Sequence, residues 1–222
     1  MNHFLLIDTA LNSAFVALAS DQTILACKVN DQQNDHASWL HPAIRSLFEE
    51  TGIKMSELDA VGVTAGPGSY TGLRVGMAAA KGICFAQQIP LISVSTLQLL
   101  AAGAVTESTD VIIALIDARR DEVYAGVYDR GLQALAPEQA MILSPDSFQT
   151  WRENNQVVFT GNGTSKVEKL IRIKDFLLAD PKRLEEKLAI LTYDRFQRAE
   201  FADLAYQEPV YLKEFHQNTK DK

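Results

Sequence analysis

Three stretches of this chain combine residue types and spacings that could do chemistry. The first is the cluster Gly66, Pro67, Gly68, Ser69, Thr71 and Gly72. It lies between an apolar alternating run (Val61, Val63, Ala65) and a small-residue helix pattern from about 70 to 87. A strand, a tight glycine turn and a helix start leave backbone N–H groups free to take an anion. The spacing fits neither phosphate motif. The pattern G-x-x-x-x-G-K-[ST] fails because Thr71 stands five positions after Gly66 and no Lys follows, and Gly66, Gly68 and Gly72 read G-x-G-x-x-x-G. The loop therefore reads first as a structural turn with close helix packing, and anion contact at Gly66, Gly68, Ser69 and Thr71 is the minor alternative.

The second pair is Asp8 and Asp117, each at the end of an apolar strand pattern and followed by a polar turn. An Asp so placed can hold a magnesium-bound water while the turn amides take phosphate oxygens. Asp8, however, is followed by Thr9, Ala10, Leu11, Asn12 and Ser13, and Asp117 by Ala118, Arg119, Arg120 and Asp121. Neither turn has a glycine, so side chains crowd the place a phosphate would take. Both carboxylates read as acceptors for their own turn amides. Arg119 and Arg120 are either ordinary turn charges or contacts to a nucleotide held mainly by another subunit.

The third group is the histidines. His36 and His41 are five apart, about 140° around a helix, so they share no face and no metal site is expected. They read as surface or interface residues. H-E-x-x-H and G-x-S-x-G are absent, and His3 and His216 lie near the chain ends. No catalytic residue is assigned. Cys27 and Cys84 fall in apolar runs and read as buried free thiols.

The elements that would position these residues repeat. Residues 3–9, 14–19 and 24–29 read as an antiparallel meander. Asp35 can cap a helix from 36 to about 50, ended by Gly52, with Leu40, Ile44, Leu47 and Phe48 at helical spacing. A turn at 56–58, a strand at 60–65, the glycine loop and its long helix follow. A strand then opens at Pro90, and Ser95 caps a helix to about 102. After a boundary at 103–110 the pattern starts again: Leu6-Ile7-Asp8-Thr9 aligns with Leu115-Ile116-Asp117-Ala118, and without a gap Phe15 falls on Tyr124. The second half continues with a strand at 138–143, a helix at 145–153, a strand at 156–160 and a second glycine loop at 160–163. A helix from about 164, a mostly helical 183–206 and a polar tail at 217–222 complete it. This order implies a duplicated α/β fold, with lobes at 1–105 and 106–222.

In the helix after the glycine loop, Gly72, Gly76 and Ala80 recur every four residues beside Leu73, Met77 and Cys84. Such a stripe admits another helix closely, within the lobe or across subunits, with Met77 as an adaptable contact. Arg74 and Lys81 lie on one side of this helix, as solvated charges or as contacts to a partner's carboxylates or a phosphate.

Composition bounds the function. Of 222 residues, 47% are hydrophobic, and the formal net charge is −7. That suits one large or two small globular domains. No apolar stretch approaches 18 residues, and the N-terminus reads as a strand rather than a signal peptide. A cytoplasmic protein with no membrane contact is expected. An acidic chain gains little from a nucleic-acid backbone alone, so any RNA would be held mainly by a partner's basic surface.

The motif AGPGSYTGLRVG at 65–76, IDARRDEVY at 116–124 and EPVYL at 208–212 together resemble the TsaB (YeaZ) family. IDT at 7–9, HASWLHPAI at 36–44 and VST at 94–96 add to the resemblance, which runs nearly end to end. It implies an actin-like ATPase (ribonuclease H-like) fold of two related lobes, each a mixed sheet flanked by helices. It also implies a non-catalytic subunit with no cofactor of its own. That subunit pairs with a TsaD-type transferase paralogue and a TsaE-type ATPase in threonylcarbamoylation of the tRNA adenosine beside the anticodon. A nucleotide and metal are then expected in the partner subunits, and tRNA is contacted mainly through the complex. The family's interface uses the helices at 36–50 and 70–87, here with Leu40, Ile44, Leu47, Gly72, Arg74, Met77, Ala80 and Lys81. The same face could make a homodimer of the free chain. Tyr70, Asp121 and Lys213 depart from the family's frequent Phe, Gly and Arg, leaving local contacts open. A small actin-like ATPase or phosphotransferase using Asp8 and Asp117, or a glycoprotease-like peptidase, are the competing readings.

Overall fold

The structure, a computed structural model, describes residues 1–32, 35–170 and 177–213; the tail at 217–222 and His216 lie outside the described residues. Strand β1 (His3–Asp8) pairs antiparallel with β2 (Ala14–Ser20), and β2 with β3 (Thr23–Asn30). On its other side β1 runs parallel to β4 (Ala60–Gly66), and β4 to β5 (Leu91–Ser95), giving the order β3-β2-β1-β4-β5. The second sheet comprises β6 (Val111–Asp117), β7 (Glu122–Asp129), β8 (Ala134–Ile142), β9 (Val157–Thr160) and β10 (Leu177–Ala179). Its order β10-β9-β6-β7-β8 repeats the same connectivity.

The repeat is real but not gapless. Asp8 pairs with Phe15, whereas Asp117 pairs with Val123. The second hairpin is one residue shorter, so Phe15 corresponds to Val123 and not to Tyr124. Because strand side chains alternate, one residue decides which face each side chain takes.

Strands β1, β2 and β4 are buried along almost their whole length, as a sheet covered on both faces must be. One face carries helices α1 (His36–Thr51) and α2 (Tyr70–Gln87): Leu40, Ile44, Leu47, Met77, Ala80 and Cys84 pack on Leu5, Ile7, Val16, Leu18, Val61 and Val63. Gly52, at φ 72°, ends α1 as its sequence implies. Asp35 precedes the helix, but its side chain caps no amide and instead accepts from the Ser38 hydroxyl.

The opposite face is covered by a helix from the far end of the chain. In α6 (Leu184–Gln197), Leu188, Ala189 and Leu191 pack on Phe4, Leu6, Ala17 and Ile92 of the first sheet. A Cβ on Gly62 would lie 2.3 Å from Thr192 Oγ1, so β4 carries glycine where α6 comes closest. Without α6 the first sheet would expose this apolar face. Helix α3 (Thr96–Ala104) sits between the lobes, with Leu97, Leu100, Ala101 and Ala104 against Ile112, Ala114, Ile116 and Val158. Ser95 caps it by accepting from Leu97 and Gln98 amides, while its hydroxyl and that of Tyr128 donate to Glu138 of the second lobe.

Other boundaries differ from expectation. Helix ends at Gln197, and residues 198–213 run without helix, where Ala199 takes φ 52°. The expected helix at 145–153 is the single turn α4 (Gln149–Arg152), and β8 starts at Ala134, before 138. The last helix of the second lobe is α5 (Thr164–Leu170). Cys84 is buried but Cys27 only half-buried, and burial pushes their thiols up to about 12 and about 11.

Candidate functional site

The three long motifs of the sequence converge on the cleft between the lobes. The turn after β1 lies on the start of α2: the Ser69 amide donates to Ala10 O at 2.7 Å, and Thr9 Oγ1 donates to Gly72 O at 2.7 Å. A Cβ would fall 2.3 Å from Ala10 O at Gly68, 2.1 Å from Thr9 O at Gly72 and 2.3 Å from Thr9 Oγ1 at Gly76. These glycines exist so that the first hairpin can rest on the helix. The Gly72–Gly76–Ala80 stripe thus faces its own lobe. Ser69 Oγ accepts the Gly72 amide and is spent as the helix cap.

The EPVYL motif crosses the glycine motif as a strap. Val210 donates its amide to Ala65 O at 2.6 Å, and a Cβ on Gly66 (φ +118°) would meet Val210 O at 2.5 Å. Lys81 Nζ donates to the carbonyls of Ala205 and Gln207 at 3.3 and 2.9 Å. Arg74 Nε donates to Tyr211 Oη at 3.2 Å, and its guanidinium lies 4.1 Å from the Tyr70 ring centre. The Tyr70 and Tyr211 rings are 5.4 Å apart. At the far end Lys213 pairs with Glu122 of the second lobe. Arg74 and Lys81, read from the sequence as solvated charges or as partner contacts, hold this strap.

The two strand-end aspartates are committed to their own turns. Asp8 is 2% exposed; its Oδ1 accepts from Ala10 N at 3.0 Å and Thr64 Oγ1 at 2.7 Å, and burial pushes its carboxyl up. It does not line the cleft. Asp117 is exposed, accepts from Arg119 N at 2.6 Å and Lys166 Nζ at 2.8 Å, and is held down by the lysine. Arg119 and Arg120 do line the cleft, whose volume is about 580 Å³, with Leu11, Ser69, Tyr124 and Tyr211. His36 is buried rather than on the surface, its Nε2 3.3 Å from Leu11 O and its Nδ1 3.5 Å from the Asn30 amide nitrogen; His41 is exposed. Among the described residues, no three His, Cys, Asp or Glu side chains are placed to share a metal ion.

The expected interface residues Leu40, Ile44, Leu47, Gly72, Met77 and Ala80 are buried within the first lobe. The reason is their phase: they face the sheet. What α2 presents outward is Thr71, Arg74, Ala78, Gly82 and Phe85, and Phe85 is 78% exposed. A Cβ on Gly82 would meet nothing within 4 Å. Beside it α1 exposes Ser38, His41, Pro42, Arg45 and Glu49. Sequence reasoning passed over Ala78, Gly82 and Phe85. Ala78 and Gly82 repeat the four-residue spacing of the inner stripe two positions later, and that was the available signal.

Two sheets of one connectivity, flanked by helices and facing each other across a cleft, define the actin-like class of fold. Component A of (R)-2-hydroxyglutaryl-CoA dehydratase from Acidaminococcus fermentans is similar at the level of fold, with a TM-score of 0.51 at 11% identity over 90% of this chain and all of that one. The family model described as TsaD: tRNA N6-adenosine threonylcarbamoyltransferase matches residues 23–219. The tRNA threonylcarbamoyladenosine biosynthesis protein TsaB of Bacillus subtilis is 31% identical over 94% of this chain and 93% of that protein. The solved structure of YeaZ from Pseudomonas aeruginosa, at 29% identity, has a TM-score of 0.81 over 96% of this chain and 100% of that one. The chain belongs to the TsaB (YeaZ) family of tRNA threonylcarbamoyladenosine biosynthesis proteins.

Proposed function

We propose that this chain is a non-catalytic scaffold subunit of tRNA threonylcarbamoylation, acting in the cytoplasm on a TsaD-type transferase paralogue together with a TsaE-type ATPase. The observation that carries this reading is the outer face of α1 and α2. It exposes Phe85 at 78% beside the small residues Ala78 and Gly82, a shape that lets another helix approach closely. The cleft, by contrast, offers chemistry little: Asp8 is sealed beneath its turn and Asp117 is neutralised by Lys166. Nucleotide and metal then belong to the partner subunits, and tRNA is contacted mainly through the complex. The adenosine modified is the one beside the anticodon, in tRNAs reading codons that start with A. The free chain can pair with a second copy through the same face.

Reconstitution tests this. Modification of tRNA by the transferase subunit and the small ATPase is measured with and without this chain. Modification that depends on the chain supports the scaffold; equal modification without it overturns the reading.

A further inference from the structure

Among the described residues, the half-buried lysines and arginines are answered by an acceptor, with one exception. Lys28 pairs with Glu50, Lys166 with Asp117 and Lys213 with Glu122, while Lys81, Arg152 and Arg195 donate to backbone carbonyls. Lys187 of α6 is half-buried too, but its ammonium has neither an ion pair nor a hydrogen bond among the described residues. A cation drawn partly out of water is stabilised by an anion beside it. Lys187 lines a pocket of about 580 Å³ that shares no lining residue with the inter-lobe cleft. Two of its walls are α3 and α6, which run antiparallel: the Lys182 amide donates to Gly103 O at 3.1 Å, and Arg195 donates to the Gln98 side chain at 2.7 Å. The turn between β7 and β8 is the third wall, held where Gln98 Nε2 donates to Leu132 O at 3.1 Å. Ala102, Val105, Leu132, Ile190 and Leu191 give these walls an apolar surface. Arg130 of the turn is a second cation in the lining without an ion pair among the described residues, whereas Arg198 carries Glu200. The one carboxylate in the lining, Asp194, stands seven residues after Lys187, about 10 Å along the helix. Apolar walls with a few placed polar groups, in a pocket of this size, are the usual form of a small-molecule site.

We propose that the pocket between α3, α6 and the β7–β8 turn binds a small organic anion, an apolar body carrying one carboxylate or phosphate group. Lys187 and Arg130 take the anionic head by charge-assisted hydrogen bonds. The apolar walls take the body, which distinguishes the ligand from a bare inorganic ion. A molecule held there touches α3, α6 and the second lobe's turn together, so it stabilises the folded chain. The inference stands apart from the scaffold reading and needs no partner subunit.

The full chain is titrated calorimetrically in low salt with octanoate, octyl phosphate, uncharged octanamide and inorganic phosphate. Saturable binding of octanoate or octyl phosphate is expected, and the tighter of the two names the head group. Octanamide and inorganic phosphate should each bind at least about tenfold more weakly, for want of the head or of the body. Lys187→Gln with Arg130→Gln should weaken the anion at least about tenfold. Arg119→Gln with Arg120→Gln removes the same charge from the inter-lobe cleft and should change binding less than about twofold. The bound anion should raise the melting temperature of the wild-type chain and of the Arg119/Arg120 variant, but not that of the Lys187/Arg130 variant. No saturable binding of either organic anion, octanamide or inorganic phosphate binding as tightly, or a loss in the Lys187/Arg130 variant no greater than in the other overturns the proposal. The transferase subunit is absent throughout, so failure here leaves the scaffold reading to its own reconstitution.

Discussion

Thr9 and Gly72 are locked to each other in both directions. The Thr9 hydroxyl donates to Gly72 O at 2.7 Å, while the Thr9 carbonyl lies 2.1 Å from where a Gly72 Cβ would stand. The side chain that glycine lacks is what lets the first hairpin reach the helix. Backbone cannot give way as a flexible side chain can, so Gly72→Ala should cost about 1–3 kcal/mol, the usual range for overpacking. Chemical denaturation reads this; an unchanged midpoint would show that the turn does not bear on α2.

The docking of α6 on the first sheet can be tested by a paired change. Gly62→Ala puts a methyl group into Thr192 Oγ1, a buried hydroxyl with no hydrogen-bond partner among the described residues. A loss of about 1–3 kcal/mol is expected. Thr192→Ala should be tolerated alone and restore much of that loss in combination, because the two residues contact each other. Additive effects would contradict this packing.

The buried Asp8 makes a signed pH prediction. Its carboxyl titrates above the ordinary value of 3.8 because burial outweighs the bonds from Ala10 and Thr64. The native state therefore holds this proton at pH values where the unfolded chain has lost it. Asp8's contribution falls as pH rises from 3.8 through its folded value. Asp8→Asn, which keeps an acceptor for both bonds, should remove that slope and be no less stable at pH 7. A variant with the wild-type slope, or one that fails to fold at pH 7, would contradict the assignment.

The strap at 205–213 is held by few groups, chiefly Lys81, Arg74 and the Val210 amide. Lys81→Met removes two hydrogen bonds to strap carbonyls without touching the core. Amide exchange at Val210 should speed up about tenfold while the global melting temperature moves by less than about 3 °C. Unchanged exchange would mean that other contacts hold the strap.

Much of this fold could be read from the chain, and the failures have physical causes. Asp8 and Asp117 ending equivalent strands gave away the duplication, because strand ends and turns have local signatures. The one-residue shortening between Asp117 and Val123 left none, since hairpin length is settled by pairing. The glycines of α2 were recognised as a packing stripe, but periodicity gives a helix face without saying what lies opposite. Thr9 lies there, 63 residues away in sequence from Gly72. Met77 and Leu40 likewise lie on helix faces that the sheet covers. The return of α6 to the first sheet is a long-range contact with no local signal. Arg119 and Arg120 were found at the cleft because the strand–Asp–turn pattern fixes where that turn must point.

The scaffold account turns on Phe85, exposed on the outward face of α2. Phe85→Glu should leave the fold intact, since the side chain is 78% exposed, and weaken pairing with the transferase paralogue by about 2 kcal/mol or more, roughly thirtyfold. The decisive measurement is tRNA threonylcarbamoylation reconstituted with this variant in place of the wild-type chain. The account predicts that modification falls with pairing and returns when the variant is supplied at concentrations that restore the complex. Full modification by Phe85→Glu at the wild-type concentration would contradict it.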